Sequence, residues 1–303
     1  MSFSSLSTMA DSIGKSRIIG ITPGDAAGVG PEVIRGALES GRLDEGFTYR
    51  LLGNTDQVRP GKPTPETARN ALAALEEAAS LALAGEIAAV VTGPIHKARM
   101  QAAGFPFPGH TEFFADRWGA ENFAMLLTGG SLTVALVTAH VPLREVPTLL
   151  SQEEIGRVGN LLANFLRMRM NRTPRIAVAG LNPHAGEDGT LGSEEERIIA
   201  PAVRQLAAEV GAEWTGPVSP DTVFHRAASR EFDAVLCMYH DQGLIPLKLL
   251  AFDQGVNVTL GLPFVRTSPD HGTAFDIAGT GRARPESMIA AINLAAELVR
   301  KRP

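Results

Sequence analysis

The chain has 303 residues, with 28 Lys+Arg against 33 Asp+Glu and a formal net charge of −5. Hydrophobic residues at 44% and charged residues at 20% are ordinary globular usage, which excludes wholesale disorder; the length favours two domains with a sizeable core. A pI near 5.8 argues against a broad nucleic-acid surface, which needs clustered Lys and Arg, and still allows a local basic pocket for a small anion. The single cysteine, Cys237, excludes an intramolecular disulfide and a thiolate-rich zinc or iron–sulfur site. Inside Ala234-Val235-Leu236-Cys237-Met238 it reads as a small buried hydrophobe. No apolar run approaches the ~20 residues needed to span a bilayer, so no membrane partner is expected. Residues 1–16 are Ser-rich and lack the basic start and apolar middle of a secretory signal, which predicts a flexible tail on a cytoplasmic protein.

In chain order, Arg17–Thr22 is a β-branched run ending in Pro23-Gly24 and predicts a strand. Gly28-Val29-Gly30-Pro31 then opens a helix, with Pro31 suited to its first turn. Tyr49–Leu52 is a second short strand, residues 59–65 are Pro-rich loop, and Thr67–Ala84 has apolar positions at helical spacing. Four further strands run into polar loops: Ile87–Val91 into Thr92-Gly93-Pro94, Leu132–Ala139 into His140, Arg175–Ala179 into Gly180-Leu181-Asn182-Pro183-His184, and Ala234–Tyr239 into His240. Helices are predicted over 151–168, 194–210 and 285–301, the second with Ser193 and Glu196 as a capping box. Apolar strands alternating with helices predict an α/β fold with a largely parallel sheet. No linker marks a boundary, so the chain is expected to cross between domains more than once: 17–115 with 258–303 as one, 116–257 as the other.

His140, His184 and His240 each follow a predicted strand, and open α/β sheets bind ligands outside the carboxyl ends of their strands. Three neutral imidazoles suit a borderline divalent cation with positions left open for substrate; each taken singly is equally a loop residue bonded to backbone. Asp241 is either the orienting carboxylate of such a ligand, a base, or a turn residue. His110-Thr111-Glu112, after Pro108-Gly109, reads as a helix start with Thr111 as cap, and a hydroxyl and an imidazole at a helix N-terminus suit a phosphate. Lys97, Lys248 and Arg266 follow Gly/Pro-rich segments after strands, with Asn257 between the last two. Most lysines are solvated surface, but such a cluster with His and Thr fits a substrate carrying a phosphate and allows a carboxylate. Gly28-Val29-Gly30 lacks the third glycine of a dinucleotide fingerprint, since position 33 is Val33, and Pro31 removes an N–H, so this segment reads as a tight strand-to-helix turn.

The segments ITPGDAAGVGPE (21–32), VTGPIHK (91–97), FPGHTEFFA (107–115), GLNPHAGEDG (180–189), MYHDQG (238–243) and GVNVTLGLPFVRTSPDHGTA (255–274) together resemble the 4-hydroxythreonine-4-phosphate dehydrogenases of vitamin B6 biosynthesis. The resemblance implies a two-domain isocitrate/isopropylmalate dehydrogenase-like fold with an interdomain cleft, in a homodimer. It implies a divalent metal (zinc, magnesium or cobalt) on His140, His184 and His240, one of them reaching across from the partner, with His240 expected in that part. It assigns substrate contacts to His110, Thr111, Lys248, Asn257 and Arg266. His271-Gly272-Thr273-Ala274 and Asp276 resemble the cofactor loop of the isopropylmalate dehydrogenases, with Asp276 on the ribose hydroxyls favouring NAD over NADP. The stretch from Leu52 to Thr67 is shorter than in long family members.

The reaction so implied is oxidation of 4-phosphooxy-L-threonine at C3 by NAD, followed by loss of CO2 to give 3-amino-2-oxopropyl phosphate. Lys97, Asp221 and Asp241 are the candidates for the base. Three alternatives stand beside it: a dehydrogenase of D-threonate or D-erythronate 4-phosphate in the same family, a three-histidine metal hydrolase, and a non-catalytic small-molecule binding protein that would bind the phosphate ligand without turnover. The segment Gly109-His110-Thr111-Glu112 favours a phosphorylated substrate over the aromatic cis-dihydrodiols of a related branch.

Overall fold

The computed structural model describes residues 16–302. The expected tail lies outside the described residues except for Ser16, whose hydroxyl donates to the Glu86 carbonyl (2.7 Å). The chain runs through β1 (Ile18–Thr22), α1 (Gly30–Glu39), β2 (Thr48–Leu51), α2 (Pro65–Leu83), β3 (Ala89–Thr92), α3 (Lys97–Ala102) and α4 (His110–Trp118). It continues through β4 (Ala124–Gly129), β5 (Leu132–Leu136), α5 (Gln152–Met170), β6 (Arg175–Ala179), α6 (Ala200–Ala208), β7 (Glu213–Val218), α7 (Pro220–Ala228), β8 (Ala234–Cys237), α8 (His240–Ala251) and β9 (Val256–Leu260). It ends with β10 (Val265–Pro269) and α9 (Glu286–Lys301). Two compact units result: one holds the chain up to Glu121 together with Leu262 onward, the other Asn122–Gly261.

In the first unit the strands run β2-β1-β3-β10, all parallel. Helix α2 shows how the sequence makes these layers. Thr64 accepts from the Thr67 N–H and Thr67 returns the bond, a box worth about 1 kcal/mol. The buried stripe Ala68, Ala71, Leu75, Ala78 and Ala82 then lets the helix pack close to its neighbours. Helix α4 is anchored by rings: Phe113 meets Phe105 at 5.5 Å and Phe114 at 5.0 Å, and Phe114 meets Trp118 at 4.5 Å. Such pairs add about 0.5–1.5 kcal/mol each beyond area burial, which holds the first turn of α4 in place.

In the second unit the order is β9-β4-β5-β8-β6-β7, with β4 antiparallel to both neighbours and the pairs β5–β8, β8–β6 and β6–β7 parallel. The core combines Leu132, Val134, Leu136, Ala177, Val235, Cys237, Leu244 and Leu247. Cys237 is fully buried, and burial pushes its thiol far above the ordinary range, so it packs as a hydrophobe. Strand β4 is absent from the sequence reading, although Gly130-Ser131 between two apolar runs is a hairpin signal.

Two expected helix starts are corrected. Ser193 and Glu196 do not form a capping box: the chain enters α6 through a π-helical turn, Glu195–Ile199, without a side-chain cap. Thr111 is not the cap of α4, because the helix begins at His110 with Gly109 at the cap and Thr111 inside the first turn.

Candidate active site

Three imidazoles leave the same end of neighbouring strands. Along the parallel order β5-β8-β6, His140, His240 and His184 follow the carboxyl ends of the three strands in turn. The rings of His140 and His240 come within 5.4 Å, centroid to centroid. His240 opens α8, and its Nδ1 donates to Asp241 Oδ1 at 2.7 Å. A carboxylate only accepts, so the proton sits on Nδ1 and Nε2 keeps its lone pair, the arrangement of a metal-ready histidine. His240 thus stands beside His140 in one chain. Among the described residues of one chain, no three His, Cys, Asp or Glu side chains gather to hold an ion.

The loops carrying these rings are bolted together. Gln242, buried, donates Nε2 to the Gly180 carbonyl and accepts from the Met238 N–H, both at 2.7 Å. Thr138 donates its hydroxyl to the Met238 carbonyl at 2.7 Å. Asp221 lies within electrostatic reach of His184; the Ser219 hydroxyl donating to it at 2.5 Å holds its carboxyl below the usual range. Lys248 and Asn257 lie half-buried on α8 and β9 of this unit, and the Asn257 Oδ1 is buried without a hydrogen-bond partner.

The first unit holds a cationic seat. Arg266, the second residue of β10, is 3% exposed. It donates to Thr92 Oγ1 at the end of β3 (2.6 Å) and to His110 Nδ1 (3.2 Å). Because Nδ1 accepts, the His110 proton belongs on Nε2, which is buried with no partner. Burial, then Arg266, then Lys97 push the His110 imidazole well below its ordinary pKa, so it is neutral. Burial also lowers Arg266, to about 10, with Glu112 opposing. A buried guanidinium, an unfilled N–H and the positive end of α4 are together the kind of groups that could take an anion. Thr111 stands in that first turn, and Lys97 is exposed at the start of α3.

The segment from His271 to Asp276 is also in the first unit, packed on the turn after β1. The Val29 N–H donates to the Thr273 carbonyl at 2.9 Å, and a Cβ on Gly28 would meet that carbonyl oxygen at 2.5 Å. Only glycine fits, which accounts for the motif read as a tight turn. His271 Nδ1 donates to the Gly272 carbonyl (3.0 Å), leaving a buried, unpartnered Nε2 lone pair. Gly272 and Asp276 are exposed, and Ala274 is left-handed at φ 41°.

The family model described as pyridoxal phosphate biosynthetic protein PdxA matches residues 34–295. The chain belongs to the PdxA family. Within it, the chain is 45% identical to the 4-hydroxythreonine-4-phosphate dehydrogenase of Desulfosudis oleivorans, covering 94% of this chain and 98% of that protein. The crystal structure of the Klebsiella pneumoniae 4-hydroxythreonine-4-phosphate dehydrogenase superposes with a TM-score of 0.78 at 40% identity, over 94% of this chain and 100% of that one. At the level of fold alone, the isocitrate dehydrogenase of Methylococcus capsulatus is similar (TM-score 0.52, 14% identity, 94% of this chain and 88% of that one). The α/β class with a mostly parallel sheet is therefore the fold PdxA proteins share with such dehydrogenases. Sequence reasoning missed Thr92 and Glu195 as site-forming residues. Thr92 was legible as the polar residue closing an apolar strand; Glu195 was hidden by the apparent capping box beside it.

Proposed function

We propose that this chain is a 4-hydroxythreonine-4-phosphate dehydrogenase that uses NAD and a divalent cation. The observation that carries the phosphorylated substrate is the buried Arg266 beside the unfilled His110 Nε2–H. A dephosphorylated substrate would leave the buried His110 Nε2–H without an acceptor.

The donor set fits a cation. His140 and His240 face each other at 5.4 Å with Asp241 fixing one tautomer, and His140, His184 and His240 would hold the ion at a site shared between two copies of the chain. One chain alone brings only two of the three rings together. When bound, zinc, magnesium or cobalt supplies Lewis acidity, lowering the pKa of a nearby hydroxyl and stabilising negative charge during loss of CO2. The homodimer is supported by α8: Ile245 (65% exposed), Leu249 (83%) and the following Phe252 (70%) form one apolar face. That helix begins with His240 and carries Lys248, so a second copy docked there stands next to the cation ligands.

The residues then divide the work. Arg266, His110 and Thr111 bind the phosphate, while Lys248 and Asn257 orient the carboxylate and amine, holding C3 for hydride transfer. Asp241 is engaged in orienting His240, which leaves Lys97 or Asp221 to take the C3 hydroxyl proton. The loop containing His271, Gly272, Thr273, Ala274 and Asp276 receives the adenosine end of NAD, where the exposed Asp276 carboxylate repels a 2′-phosphate. Its unfilled His271 Nε2 and exposed backbone fit such a ligand. Oxidation gives 2-amino-3-oxo-4-phosphooxybutanoate, a β-keto acid that loses CO2 to 3-amino-2-oxopropyl phosphate. The reaction is assigned to the cytoplasm; among the described residues no helix is long and apolar enough to cross a membrane.

The test is NADH formation by the purified, chelator-treated chain with 4-phosphooxy-L-threonine, with and without added magnesium, zinc or cobalt. Turnover is expected only with a cation and faster than on D-threonate 4-phosphate. Undiminished turnover in chelator overturns the metal, preference for the threonate overturns the substrate, and phosphate release without NADH supports a hydrolase instead.

A further inference from the structure

We propose that Glu195 is the positioning residue that sets His184 in place for the cation; the inference rests on His184 being a ligand. From His184 to Gly189 six consecutive residues have positive φ (52°, 53°, 83°, 43°, 53° and 84°). Only two of the six are glycines. For the other four, His184, Ala185, Glu187 and Asp188, the left-handed region costs about 1–2 kcal/mol each. A run of this kind persists only where its surroundings over-determine it.

Glu195 braces the segment that leads into it. The side chain is 3% exposed, and its carboxylate is spent on this one loop. Oε1 accepts from the Leu181 and Asn182 N–H groups, both at 2.7 Å, and Oε2 accepts from Asn182 Nδ2 at 2.9 Å. A Cβ on Gly186 would stand 2.8 Å from Oε2, and one on Gly180 3.2 Å from Oε1, so the carboxylate presses against both ends of the segment 180–186. The glycines there leave room for it. Glu195 also begins the π-helical turn Glu195–Ile199, the departure from α-helical geometry that brings its side chain to the loop. Charge-assisted bonds to two successive backbone N–H groups are stronger and shorter than neutral ones. Through them, the carboxylate fixes where the chain enters the left-handed run, two residues before the imidazole.

The consequence is separable from folding. Glu195→Gln keeps the shape, removes the charge and turns one acceptor into a donor facing Asn182 Nδ2. Cobalt(II) is the probe, with affinity read from its visible absorption and from calorimetry on the dimer. Loss of an outer partner of a metal site costs about 10–100-fold in affinity, and that fall is expected for Glu195→Gln, while the KM for NAD stays within twofold of the parent. Asn182→Ala keeps both backbone bonds to Oε1 and removes the Nδ2 bonds to Glu195 Oε2 and Glu194 Oε2; it is expected to weaken cobalt less and in the same direction, and it carries the test if Glu195→Gln does not fold. His184→Ala separates the two layers of the argument. If His184→Ala binds cobalt like the parent, His184 is not a ligand. If His184→Ala loses cobalt while a folded Glu195→Gln, or Asn182→Ala in its place, holds it within twofold of the parent, the positioning role is overturned. An equal loss of cobalt affinity and NAD affinity also overturns it, because that is general destabilisation.

Discussion

Replacing Arg266 by Met separates an anion seat from a structural tie. Burial lowers the guanidinium from its ordinary value to about 10; at 1.36 kcal/mol per pH unit this corresponds to about 3 kcal/mol by which the folded state disfavours the charge. Both values lie far above neutrality, so the penalty is present in full at every pH below about 10. Against it stand the bonds to Thr92 Oγ1 and His110 Nδ1, together worth about 1–3 kcal/mol. Arg266→Met is therefore expected to leave the ligand-free protein as stable as the parent, or up to about 2 kcal/mol more stable. Loss of charged hydrogen bonds to the phosphate, about 1.5–3 kcal/mol, is expected to raise the KM for 4-phosphooxy-L-threonine about 10- to 150-fold. Thermal unfolding without ligand and initial rates measure the two effects. A fall in Tm of more than about 5 °C with an unchanged KM would refute the reasoning and make Arg266 a tie within the core.

His110 is held neutral by burial and by Arg266 and Lys97. The unfolded chain takes up a proton below its ordinary value of 6.5 while the native state does not, so stability should fall as pH drops from 6.5 towards the lowered folded value; urea titrations of the parent and His110→Gln should show a shallower slope in the variant. Gly28→Ala places a Cβ 2.5 Å from the Thr273 carbonyl oxygen, so the KM for NAD should rise and stability should drop by about 1–3 kcal/mol, typical of overpacking. Leu249→Glu adds a charge to the exposed face of α8 and should shift the mass seen by sedimentation from dimer to monomer, with loss of turnover. An unchanged dimer would remove that face from the interface.

Much of the scaffold was legible because burial imposes period. Arg175–Ala179 is a strand at the expected bounds, and the apolar stripe predicted from Thr67 is α2. The strands ahead of His140 and His240 stop earlier than their apolar runs, at Leu136 and Cys237, yet the Val137 and Thr138 N–H groups still bond to the Cys237 and Met238 carbonyls. Helix α8 escaped because its sequence, HDQGLIPLKLLA, carries Gly243 and Pro246 inside and exposes apolar residues outwards. Its hydrophobic pattern serves a surface as well as a core, and periodicity alone reads only the core.

The residue types by themselves determined that this chain is α/β, that imidazoles follow its strands and that a basic, hydroxyl-bearing segment suits a phosphate. Those conclusions need only neighbours along the chain, where alternation, caps and turns act. The tertiary structure decided that the His140 and His240 rings meet, that Arg266 reaches Thr92 and His110 across 174 and 156 residues, and that the Glu195 carboxylate bonds to Leu181 and Asn182 ahead of the left-handed run. Each depends on the order of strands in a sheet and on which buried charge finds a partner, and these are contacts that spacing along the sequence does not encode.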